Sequence, residues 1–188
     1  DGQSIFMRHA RFDLGLQRQK DDVAHLWSSV GFLDDSWWHR TYWLWGGRTW
    51  GRASGWHVMP GIRPSGRLLV ADEETVFGYG RKTVRGNSLQ GYHLFRAAKE
   101  VETLDRPIKN NNVALAKYQK PAKVNYFWSQ QVPLVARALV LANDTLLAAG
   151  PVMDPAAAGG REPTFDASSP ATLMAFRAED GSVLSRCK

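Results

Sequence analysis

Residues 67–80, RLLVADEETVFGYG, and residues 136–150, ARALVLANDTLLAAG, are two versions of one pattern. Each has a short apolar strand, a polar turn, a second apolar strand and a closing glycine. Leu69 aligns with Leu139, Val70 with Val140, Asp72 with Ala142 and Gly80 with Gly150, a constant offset of 70 residues. A hairpin this short has too small an apolar face to be stable alone. A self-similar series of them needs neighbours that stack into a shared core.

Working outward, residues 172–186, TLMAFRAEDGSVLSR, form another such unit, in which Asp180-Gly181 predicts a type I′ hairpin turn with positive φ at both central residues. Residues 1–12, DGQSIFMRHARF, read as a turn and one strand through Ile5, Phe6 and Met7, with Arg8 and His9 completing it. Two successive hairpins make a four-stranded antiparallel blade. The fold class expected is therefore all-β: a partial or small β-propeller built from hairpin repeats, in a single domain over 1–188. Blade-like units are expected at 67–128 and 136–188. The second strand pair of the first unit would be Tyr92–Ala97 and Val124–Trp128, around a polar insertion, Lys99–Pro121. Helical content is expected only in Asp13–Leu26 and Ala97–Leu104.

At 188 residues, 44% hydrophobic and 22% charged, the chain matches an ordinary globular domain able to bury about 70% of its unfolded surface. The longest apolar candidate for a membrane span, Val132–Met153, is broken by Pro133, Arg137, Asn143, Asp144 and Pro151. The net charge of +6 is spread through many segments and interleaved with acids, so no nucleic-acid partner is expected. Cys187 is the single cysteine, which excludes an intrachain disulfide and a Cys-rich zinc site. The opening at Asp1, with no signal-peptide pattern, predicts a piece of a longer chain or a shortened propeller.

The remaining feature is the run FLDDSWWHRTYWLWGG at 32–47, part of a tryptophan-rich insertion over 27–56 that holds seven of the eight tryptophans. With PSGRLLVADEETVFGYGR, VARALVLANDTLLAAGP and LMAFRAEDGSVL, it resembles the C-terminal part of the PQQ-like (BamB-like) β-propeller repeat proteins of planctomycete-type bacteria. The resemblance covers most of the chain and implies an exported, periplasmic or extracellular protein. In the quinoprotein dehydrogenases of that resemblance, PQQ lies between a tryptophan and a ring of adjacent cysteines, with calcium on Glu, Asn and Asp. This chain has no second cysteine and no match to the calcium triad, so a working PQQ site is not expected. Such propellers have six to eight blades, more than 188 residues supply. An unclosed propeller exposes edges, and a homo-oligomer closing the ring is one expected solution.

Three uses fit the aromatic run. Packing at blade interfaces is the first, since Tyr42, Trp43, Leu44 and Trp45 are apolar on both faces of a strand. A platform for a small-molecule or carbohydrate ligand is the second, with Trp37, Trp38, Trp50, Trp56 and Arg40 as ligand-binding candidates beside Gly46, Gly47, Gly51 and Gly55. Catalysis is the third. Asp34, Asp35 and His39 supply acid–base and oxygen-ligand chemistry, Asp34 and Asp35 are the metal-ligand candidates, and Ca²⁺ is the ion that suits them. Asp72, Glu73, Asn143, Asp144 and Asp154 are further oxygen donors. His9, His25, His57 and His93 are isolated and read as packing or surface residues. The function expected is a propeller-type binding module; the alternative is a Ca²⁺-dependent hydrolase acting on lactones.

Overall fold

The computed structural model describes residues 2–7, 10–21, 23–28, 43–47, 63–81, 92–103, 122–152 and 170–187. Among these residues the chain is all-β, with strands β1 (Ile5–Met7), β2 (Ala10–Phe12), β3 (His25–Ser28), β4 (Trp43–Gly46), β5 (Ser65–Gly66), β6 (Leu68–Ala71), β7 (Thr75–Arg81), β8 (Tyr92–Thr103), β9 (Ala122–Gln130), β10 (Ala138–Ala142), β11 (Thr145–Pro151), β12 (Ala171–Arg177) and β13 (Val183–Cys187). They form four antiparallel sheets in chain order: β1-β2, β3-β4-β5, β6-β7-β8-β9 and β10-β11-β12-β13. Every sheet is a simple meander, because each strand pairs with the next one along the chain.

Alternation assigns the two faces of the third sheet. Phe77 and Tyr79 on β7, with Tyr92 and Leu94 on β8, pack against Leu146, Ala148, Met174 and Phe176 of the fourth sheet. The opposite face carries Leu69, Val76, Phe95, Ala97 and Val124, against which Trp43 and Trp45 of β4 lie. Beyond β4, His25 on β3 stacks on Phe6 of β1 at 4.1 Å. Sheets thus follow one another as layers. The linker Val132–Ala136 between the third and fourth sheets is also buried, except at Pro133. Tyr79 Oη donates to the Leu134 carbonyl at 3.1 Å, satisfying a backbone acceptor that the core would otherwise strand.

The 70-residue offset has a structural basis at its glycines. A Cβ on Gly80 would lie 2.6 Å from Gly66 Cα and 3.1 Å from Arg67 N. On Gly150 it would overlap the Val135 carbonyl and approach Ala136 Cα to 3.2 Å. Both glycines accept, at equivalent positions, the backbone of the segment that leads into their own sheet. No larger residue fits there.

Three local expectations are corrected. Ala97–Thr103 is strand within β8, where pairing to β7 and β9 overrides the helix preference of its Ala, Lys and Glu residues. Asp13–Leu26 contains no helix among its described residues: Asp13 caps a turn in which Leu16 has φ 62, and β3 begins at His25. At Asp180-Gly181 only the glycine has positive φ (75), so the turn is not type I′. Instead Gly181 N donates to the Arg177 carbonyl and Arg177 N to the Ser182 carbonyl, a longer loop ending in a left-handed glycine.

Candidate functional site

The tryptophan-rich insertion is anchored on β4. Ser28 and Trp43 are cross-strand partners, so the segment 29–42 leaves and re-enters the second sheet at one point. The segment 48–62 departs from the other end of β4, after Gly47. Over a four-residue strand those two anchors are about 10 Å apart. Asp34, Asp35, Trp37, Trp38, His39 and Arg40 belong to the first segment and Trp50 and Trp56 to the second, and all eight lie outside the described residues.

The described tryptophans are packing residues. Trp27 is buried and its indole N–H donates to the Gly46 carbonyl at 3.1 Å. Trp43 and Trp45 are half-buried against the third sheet, and the Lys99 ammonium sits 4.3 Å above the Trp45 ring while also donating to the Glu73 carbonyl. Trp128 on β9 reaches the fourth sheet, donating from Nε1 to the Ala178 carbonyl at 2.9 Å. Its ring faces Gly181, where a Cβ would come within 2.9 Å. Gln130 adds a donation of 2.6 Å to the Gly181 carbonyl. A single turn, Ala178–Gly181, is therefore clamped by two side chains of the preceding sheet.

Among described polar groups, the one gathering of acid–base and nucleophile types on a shared sheet face is His93, Ser129 and Tyr126. His93 on β8 is buried, and its Nδ1 is 2.7 Å from the Ser129 hydroxyl on β9, which is exposed. The imidazole stacks on Phe95 at 4.8 Å and meets Tyr126 edge-on at 5.4 Å. Burial pushes the Tyr126 phenol up to about 12. Gly80 is the cross-strand partner of His93. A serine beside a histidine base is the beginning of nucleophilic chemistry, but here the described geometry is that of a cross-strand pair satisfying a buried ring nitrogen. In the sequence His93 is isolated. Pairing of β8 with β9 is what brings Ser129 to it, and the register shift at Arg96/Ala97 hides that from residue spacing.

Asp72, one of the further oxygen donors, is occupied structurally. It accepts from the N–H groups of Glu74 (2.9 Å) and Thr75 (2.6 Å) and from the Thr75 hydroxyl (2.9 Å). Burial alone would raise its carboxyl, but these hydrogen bonds and the nearby Arg96 cation outweigh that and hold it below the ordinary value. Glu73 and Asn143–Asp144 lie in hairpin turns, Asn143 supplying the positive φ of its own (53). Asp154 lies outside the described residues. Among the described residues no three His, Cys, Asp or Glu side chains converge on a metal-sized site, and no helix is long and apolar enough to cross a membrane.

Comparison with protein-family models, with curated proteins and with solved structures returned no match.

Proposed function

We propose that this chain is a β-propeller-type binding module, resembling the PQQ-like repeat proteins in architecture but without a working PQQ site, and exported as that resemblance implies. The observation that carries the architecture is the repeat equivalence of Gly80 and Gly150. Each receives the lead-in backbone of its own four-stranded meander at the same position, 70 residues apart. Sheets that stack in chain order with their faces alternately committed to the preceding and following layer support the same reading. Trp27, Trp43, Trp45 and Trp128 are consumed by packing, so ligand recognition is assigned to Trp37, Trp38, Trp50 and Trp56 with Arg40. Aromatic faces and a guanidinium suit a carbohydrate or a planar small molecule.

The test is a titration of the protein with mono- and oligosaccharides, followed by tryptophan fluorescence and calorimetry. Saturable binding that weakens at least about tenfold, roughly 1.4 kcal/mol, in a Trp37→Ala/Trp38→Ala variant is the expected result. No saturable binding overturns the ligand assignment. The alternative, a Ca²⁺-dependent lactone hydrolase using Asp34, Asp35 and His39, is read in the same preparation. Ring opening that EDTA abolishes and calcium restores would replace the module by the enzyme.

A further inference from the structure

We draw no further inference here: the strongest candidate, the side-chain cluster of His93, Ser129 and Tyr126 on β8 and β9 of the third sheet, belongs to the site already described, where its 2.7 Å contact between the Ser129 hydroxyl and His93 Nδ1 is accounted for by the pairing of those two strands.

Discussion

Gly150→Ala is the perturbation that most directly addresses the repeat geometry. The added methyl would overlap the Val135 carbonyl oxygen and lie 2.8 Å from its carbon and 3.2 Å from Ala136 Cα, so the obstacle is backbone and cannot rotate away. Relief requires the Val135–Arg137 segment to move off β11. That movement stretches two hydrogen bonds that hold it there, Val135 N to the Pro151 carbonyl (2.9 Å) and Arg137 N to the Ala149 carbonyl (2.7 Å). Weakening both costs about 1 kcal/mol each, and overpacking adds about 1–3 kcal/mol. A stiffer unfolded chain returns about 0.5–1 kcal/mol. The net expectation is a destabilisation of about 3 kcal/mol. Urea unfolding followed by tryptophan fluorescence measures it, with Gly15→Ala as the control: its methyl meets only an Asp13 carboxylate oxygen at 3.3 Å and should cost less than about 0.5 kcal/mol. Gly80→Ala must behave like Gly150→Ala, because Gly66 Cα stands 2.6 Å from its methyl. A Gly150→Ala variant within about 1 kcal/mol of wild type would refute the close approach and the equivalence built on it.

Two further outcomes follow from contacts between and within sheets. Trp128→Phe loses the indole donation to Ala178 and should cost about 1–2 kcal/mol; Gly181→Ala, at φ 75 and against the same ring, should cost about as much. A double-mutant cycle should show them coupled by more than about 0.5 kcal/mol, and additive effects would place the ring elsewhere. Asp72→Ala is expected to lower stability at neutral pH by about 0.5–1 kcal/mol, discounted for the solvent exposure of the turn. Because the folded Asp72 carboxyl lies below its unfolded value of 3.8, its contribution is complete above that pH and disappears as pH falls through the folded value. Wild type and variant should therefore converge in stability in acid, and a difference that persists unchanged below pH 3.8 would contradict the role given to the carboxylate.

Much of the architecture was legible residue by residue. Alternation in RLLVA and TVFGYG, the Asn143-Asp144 turn and the closing glycines are local signals, and local signals dictate strand identity, hairpin pairing and antiparallel sense. The candidate site was legible only as composition. Asp34, Asp35, Trp37, Trp38, His39, Arg40, Trp50 and Trp56 stand on segments whose anchors on β4 the structure defines, while their own placement lies outside the described residues.

By itself, the amino-acid order determined that this is a hairpin-built, all-β chain repeating at 70 residues, because turn chemistry and side-chain period act over a few neighbours. Only the tertiary structure decided which face each strand commits to which layer. It turned Ala97–Thr103 from apparent helix into strand, brought Ser129 to His93 across a register shift, and set Trp128 on a turn some 50 residues away. Those outcomes depend on contacts between residues far apart in the chain. A lone hairpin's pattern contains no term for them.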